Sequence, residues 1–234
     1  MNKYQRRRLI SVIISTLFLL VVIILNTPIQ DTQPVEKSLI QNDDNAPRPR
    51  ALDVLSQLKI KGRAPKTGYQ RSLFGDDWQT KDGCDMRNII LNRDLLNVAV
   101  NDKCQVTRGT LNDPYTGKVI TFMKSSSSSG LVQIDHVVAL SDAWQKGAQL
   151  LTTQQRIQLA NDPLELIAVD GKANQQKGDG DAATWLPSNK NFRCQYIARQ
   201  IAVKHKYKLW VTQAERDAMF NILSKCNNQL LPIE

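Results

Sequence analysis

Residues 9–25 (LISVIISTLFLLVVIIL) constrain this chain more than any other segment: they are apolar apart from two serines and one threonine, and Lys3, Arg6, Arg7 and Arg8 precede them. A basic flank followed by such a run reads as a membrane anchor or an export signal, at the short end of what spans a bilayer. The Asn26-Thr27-Pro28 that follows has no clear small-x-small cleavage site, so the segment reads as an uncleaved anchor, with a cleaved signal peptide as the alternative. The positive flank stays in the cytoplasm, which places everything after residue 26 on the far side. The expectation is a protein anchored in an inner membrane and facing the periplasm or exterior, or secreted if the segment is removed.

Cysteine usage agrees with that compartment. Cys84, Cys104, Cys194 and Cys226 are even in number, and no two have the Cys-x-x-Cys spacing of a redox or zinc site. Two disulfides are the economical reading. Pairing neighbours in sequence, Cys84 with Cys104 and Cys194 with Cys226, is one of three connectivities and rests on proximity alone.

Residues 27–50 are rich in Pro, Gln, Asn and Asp with few large apolar side chains, the composition of a flexible linker. The folded domain is expected over 51–234. Ala51–Ile60 has helical spacing, and Arg87–Leu96 is a second helical stretch bracketed by Cys84 and Cys104. Val119–Met123 and Leu131–Val138 are β-prone and read as a hairpin joined by the serine-rich 124–130. Helices are expected over 141–147 and 152–161, the second opening with the capping box Thr152-x-x-Gln155. Leu164–Val169 is β-prone, Asp170 can cap a short helix ending at Gly178, and the C-terminal part is helical, with one helix over Lys190–Lys206 and a second opening with the capping box Thr212-x-x-Glu215 and running to about Cys226. The four tryptophans read mainly as core.

The net charge is +9, and from residue 51 onward 24 lysines and arginines face 18 acidic residues. No acidic residue lies between Asp181 and Glu215, a window holding Lys190, Arg193, Arg199, Lys204, Lys206 and Lys208. That distribution suits a polyanion, and a solvated helix face is the plainer alternative.

Only two histidines occur, His136 and His205, and only His136 sits beside a carboxylate in an apolar run, Ile134-Asp135-His136-Val137-Val138. An imidazole there is a candidate general base. Asp135 and Asn174 supply hard oxygen donors suited to Mg²⁺, with Mn²⁺ or another divalent ion possible. One cation of that kind could stabilise phosphodiester hydrolysis. Neighbouring strand residues point to opposite faces, so Asp135 and His136 could flank one metal only where the strand is twisted or bulged.

The stretch Asp135-His136-Val137-Val138 through Asn161-Asp162-Pro163-Leu164, then Val169-Asp170-Gly171-Lys172-Ala173-Asn174-Gln175-Gln176-Lys177-Gly178-Asp179 and Trp185-Leu186-Pro187, resembles the HNH (ββα-metal) endonucleases. It is most similar to the exported bacterial group related to the C-terminal domain of GmrSD-type restriction enzymes. Upstream, Gly68-Tyr69-Gln70-Arg71, Phe74-Gly75, Trp78 and Gly83-Cys84-Asp85-Met86-Arg87-Asn88 carry the same likeness. The resemblance implies an α+β domain with a ββα-metal (HNH, His-Me finger) core at about 119–187, surrounded by helices. It implies His136 as general base and Asp135 and Asn174 as metal ligands. The middle motif position, usually Asn, falls at Glu165, which departs from the pattern and could be a supporting or ligating group. Arg87, Arg93, Lys177 and Arg193 are candidate nucleic-acid contacts. The expected activity is metal-dependent cleavage of DNA outside the cytoplasm with little sequence preference; the alternative is a membrane-tethered DNA-binding module without catalysis. No protein partner is read from the sequence.

Overall fold

The computed structural model describes residues 2–5, 48–125 and 129–232. The apolar run 9–25 and nearly all of the linker lie outside the described residues, and among the described ones no helix is long and apolar enough to cross a membrane. The chain divides into two units, Met1–Ala46 and Pro47–Glu234. The second is mixed α and β.

Its helices are α1 (Ala51–Leu55), α2 (Met86–Asp94), α3 (Leu140–Gln145), α4 (Thr153–Ala160), α5 (Gly171–Lys177), α6 (Arg193–Lys206) and α7 (Gln213–Leu223). Its strands are β1 (Thr80–Lys81), β2 (Cys84–Asp85), β3 (Leu96–Val100), β4 (Val106–Asn112), β5 (Val119–Met123), β6 (Val132–His136) and β7 (Leu166–Asp170). They form three small antiparallel sheets, β1-β2, β3-β4-β5 and β6-β7.

The longest helix, α6, turns Tyr196, Ile197, Ile201 and Val203 into the main core, where they meet α1 residues Val54 and Leu55 and α7 residues Met219 and Leu223. Each such side chain withdrawn from water contributes about 1.5–3 kcal/mol. Thr212 and Glu215 form a reciprocal capping box at the start of α7, which satisfies two otherwise unpaired backbone donors. The Cys194–Cys226 disulfide, with Cα atoms 6.4 Å apart, staples the first turn of α6 to the segment just after α7. Cys84–Cys104 joins β2 to the β3–β4 turn. Both follow the neighbour pairing.

Two local expectations are corrected. Helix α1 stops at Leu55 instead of running to Ile60, because Ile60 bridges to Val211 in extended conformation. The hairpin of β5 with β6 does not form: β5 pairs with β4, and β6 pairs with β7. Strand β4 escapes the sequence pattern because Arg108 and Gly109 interrupt its alternation. A Cβ on Gly109 would lie 2.7 Å from Leu95 Cδ2, so glycine lets that leucine pack against the strand. Pairing with the C-terminal tail also reaches back to Pro49 and Arg50, which contact Leu231 and Leu230.

Candidate active site

Strand β6 pairs with β7 in unbroken register, from Val132 opposite Asp170 to His136 opposite Leu166. Strand β7 is apolar and buried from Leu166 to Val169, and β6, though it carries Gln133, Asp135 and His136, has no exposed residue, so the pair forms the floor of a site rather than a solvated hairpin. Asp170 caps α5 by accepting from Ala173 N at 2.8 Å, and Gly178 ends the helix at φ +50°, a conformation that costs little without a Cβ. A Cβ on Gly171 would come within 2.2 Å of the Gly130 carbonyl oxygen. Glycine therefore lets the start of α5 lie against the segment entering β6. That approach brings Asn174 Nδ2 within 2.9 Å of Gln133 Oε1.

Asp135 is buried at 6 % exposure. Its Oδ1 accepts from Lys177 Nζ at 2.9 Å and its Oδ2 accepts from the Tyr115 hydroxyl. Lys177 also donates to the His136 carbonyl at 2.7 Å, which ties α5 to the end of β6. Burial raises the Asp135 carboxyl above its ordinary value, against the opposing pull of Lys177 and the Tyr115 bond.

The His136 side chain leaves the strand toward other partners. Its ring stacks on Trp78 with centroids 5.8 Å apart and planes 6° from parallel, and Nε2 lies 2.9 Å from the Ala160 carbonyl. Burial, then the positive charge of Arg71, lowers its pKa to about 3, so the ring is neutral. A neutral imidazole bonded to a carbonyl through Nε2 carries its proton there and leaves the Nδ1 lone pair free. No bulge bends the strand. The side chains of Asp135 and His136 have separate partners, yet both residues border one cleft of about 510 Å³ together with Asn174.

Glu165 is fully buried beside that cleft. Its Oε2 accepts from Val138 N at 3.1 Å and its backbone oxygen accepts from Val137 N at 2.9 Å, so it holds the loop leaving β6. Burial raises its carboxyl well above the usual range. In its protonated form a carboxyl can accept and donate, as an asparagine amide does, whereas an ionised carboxylate only accepts.

Of the other candidate residues, Arg87 lines the cleft, whereas Lys177 is turned inward onto Asp135. Arg93 pairs with Asp94 and donates to the carbonyls of Pro163 and Leu166, and Arg193 donates to Pro187 O at 2.8 Å. The acid-free window is also spent internally in part. Lys204 is fully buried and ion-paired with Glu215 at 3.0 Å, Arg199 donates to the carbonyls of Pro163, Leu164 and Leu166, and Lys206 pairs with Asp162 at 2.9 Å.

Tyr115, Gln133 and Arg71 were not singled out as site residues. Tyr115 sits in the turn Asp113-Pro114-Tyr115-Thr116-Gly117, which reads only as a connector; that its hydroxyl meets a carboxylate 20 positions away is settled by packing. Below the site, Lys146 Nζ lies 2.8 Å from Asp142, 2.7 Å from Asp181 and 2.6 Å from Glu215, and Arg63 reaches Asp142 and Asp181 at 3.0 and 2.7 Å. These charges anchor the chain just beyond α5 to α3 and α7.

Residues 77–222 match the family model for the C-terminal domain of GmrSD restriction endonucleases. The chain is also 40% identical over 179 residues to an uncharacterized secreted protein of the fungus Arthroderma benhamiae, an alignment covering 75% of this chain and 84% of the relative. No solved structure matches it. The matched stretch includes β6, β7, α5 and every residue that holds Asp135 and His136 in place: the chain belongs to the family of the GmrSD restriction endonuclease C-terminal domain.

Proposed function

We propose that the chain is a metal-dependent DNA endonuclease of the HNH type, acting outside the cytoplasm, with β6, β7 and α5 as its ββα-metal core and His136 as general base. The observation that carries this reading is the convergence of Asp135, His136 and Asn174 on one cleft. Membership of a restriction-endonuclease family supports nucleic acid as the substrate. The paired cysteines and the secreted relative fit an extracytoplasmic location.

The donor set fits a hard divalent cation. Asn174 commits its Nδ2 to Gln133, and its Oδ1 has no partner among the described residues. Asp135 accepts one bond on each oxygen, and a carboxylate has about four lone-pair sites. Among the described residues no group of three His, Cys, Asp or Glu side chains is placed to hold a metal ion, so a cation here would rest on Asp135, Asn174, solvent and substrate oxygens, the environment Mg²⁺ accepts. When bound, such an ion supplies charge stabilisation to the phosphoryl centre and its leaving oxygen.

The chain's own groups do the rest. His136 holds a free Nδ1 toward an incoming water and takes its proton. Trp78 and the Ala160 carbonyl fix the ring plane, and Tyr115 and Lys177 fix Asp135. Glu165 holds the Val137-Val138 backbone and so the end of β6.

The test is cleavage of supercoiled plasmid by the purified protein in Mg²⁺ or Mn²⁺, with EDTA and folded His136→Ala as controls. Metal-dependent nicking that His136→Ala abolishes is expected. Equal inertness of both proteins with retained, salt-sensitive DNA binding would favour the binding module instead.

A further inference from the structure

We propose that Arg71 and Arg87 form the phosphate grip of the cleft, clamping a phosphodiester of the bound strand beside His136. This rests on the nuclease reading of the same cleft and adds the residues that would seat its substrate.

Charge pairing around the cleft leads there. Two of its carboxylates have cations of their own: Asp135 has Lys177 at 2.9 Å, and Asp179 has Lys66 at 2.8 Å. Arg71 and Arg87 line the same cleft, and neither forms a hydrogen bond or ion pair among the described residues. The charge nearest to Arg87 in sequence, Asp85, is occupied: its Oδ1 accepts from Asn88 N at 2.7 Å and its Oδ2 from Asn88 Nδ2 at 2.8 Å. The cleft therefore keeps two guanidiniums without a hydrogen bond or ion pair among the described residues, and Arg87 feels Asp85 only through space.

Arg87 is costly where it stands. It is half-buried, and it lies in the first turn of α2, where the helix dipole favours anions and disfavours cations. A partly desolvated guanidinium with no hydrogen-bonded anion loses hydration that the through-space attraction of Asp85 only partly offsets. A bound phosphodiester removes both penalties, because its oxygens can take paired N–H bonds from a guanidinium fork and its charge suits the helix start. The Cys84–Cys104 disulfide closes three residues before Arg87 and fixes the backbone that presents it. Arg71 stands on the other approach, in the 3₁₀ turn Arg71–Phe74 that leads into Trp78. Its charge already acts on the His136 ring. A phosphate held by both arginines is thereby brought to the side of the cleft where the imidazole can activate water. The remaining candidate arginines are not equivalent, since Arg93 and Arg193 are spent on backbone carbonyls.

The test uses the full chain in detergent micelles and a fluorescent 20-base-pair DNA duplex, with anisotropy read in EDTA across a salt series and cleavage read in Mg²⁺. Arg71→Ala and Arg87→Ala should each weaken binding about tenfold, the scale of one charge-assisted contact, and reduce the slope of log K against log salt by about one. Lysine at either position should restore the slope but only part of the affinity, since the fork is lost; these variants also serve if an alanine variant fails to fold. Lys225→Ala, on the exposed surface outside the cleft, should match wild type. A wild type that grips DNA through these arginines yet never cuts would uphold the grip and sink the nuclease reading. Arginine variants that bind and cut like wild type, with an unchanged salt slope, would overturn the grip while leaving the nuclease standing. A wild type that binds no duplex overturns it as well.

Discussion

Lys177 Nζ lies 2.9 Å from Asp135 Oδ1, with the lysine side chain fully buried and the aspartate nearly so. Helix α5 thus delivers two things to β6 from one turn: the Asn174 amide to Gln133 near the start of the strand and, three residues on, a counter-charge for Asp135 near its end.

Removing one partner of this pair leaves a buried charge alone. Lys177→Met is expected to destabilise the protein by roughly 3–5 kcal/mol and to abolish cleavage. Adding Asp135→Asn should recover much of the stability, because the orphaned charge is gone, but none of the activity. Chemical denaturation of the two single variants and the double variant reads this; if the double variant is no more stable than Lys177→Met, the pair does not matter in the way described.

Glu165 makes a pH prediction. Its folded pKa is raised by burial, so the folded protein keeps a proton that the unfolded chain releases above the ordinary value of about 4.3. Stability associated with this group is therefore full below that value and declines as pH rises toward the folded pKa. Glu165→Gln keeps an acceptor for Val138 N and has nothing to ionise. It should melt close to wild type at pH 4, above wild type at pH 8, and retain activity. Glu165→Leu should lose activity, because the Val138 amide is then unpaired. A Gln variant with the wild-type pH profile would show that the carboxyl is ionised in the fold.

The ion cluster under the site titrates the other way. Burial pushes the Asp181 carboxyl up, but Lys146 and Arg63 overcome it and bring the pKa down to about 2. Its contribution is present above the unfolded value of about 3.9 and is lost as pH falls toward 2. Asp181→Asn should flatten the acid limb of the stability curve between those values and lower stability at pH 7, with thermal melts across pH 2–7 as the readout.

The disulfides close loops with sequence separations of 20 and 32 residues. Chain entropy assigns each about 3–4 kcal/mol. Cys194→Ser with Cys226→Ser should lower stability by that amount and leave kcat nearly unchanged under folded conditions. Cys84→Ser with Cys104→Ser should also weaken DNA binding, because α2 presents Arg87 just beyond that bridge.

Gly171 tests the closeness of α5 to the entry of β6. Gly171→Ala places a methyl carbon 2.2 Å from the Gly130 oxygen unless the backbone moves. The variant should fold with reduced stability and lose activity more than stability, as Asn174 shifts away from Gln133; paired melting and cleavage measurements separate the two.

Much was legible in the sequence because the physics there is local. The capping boxes at Thr152 and Thr212, the Asp170 cap with Gly178 as stop, and the gap-free run of α6 each depend on neighbours within four residues. The placement of Asp135 and His136 on a strand and of Asn174 on the helix after the next strand was legible for the same reason, since those elements are locally encoded. The choice of strand partners was not local. Whether β5 joins β4 or β6 depends on what covers each face, and neither Gly109 nor the serine run announces it. The roles of the charged residues were decided by tertiary structure for the same reason. Lys177, Lys204, Arg93 and Arg199 look like surface cations in a basic chain, and packing turns each onto a carboxylate or carbonyl distant in sequence. Sequence determined which groups could do chemistry here; only the fold decided which charges neutralise each other and which remain facing the cleft, because a charge is compensated by what lies near it in space.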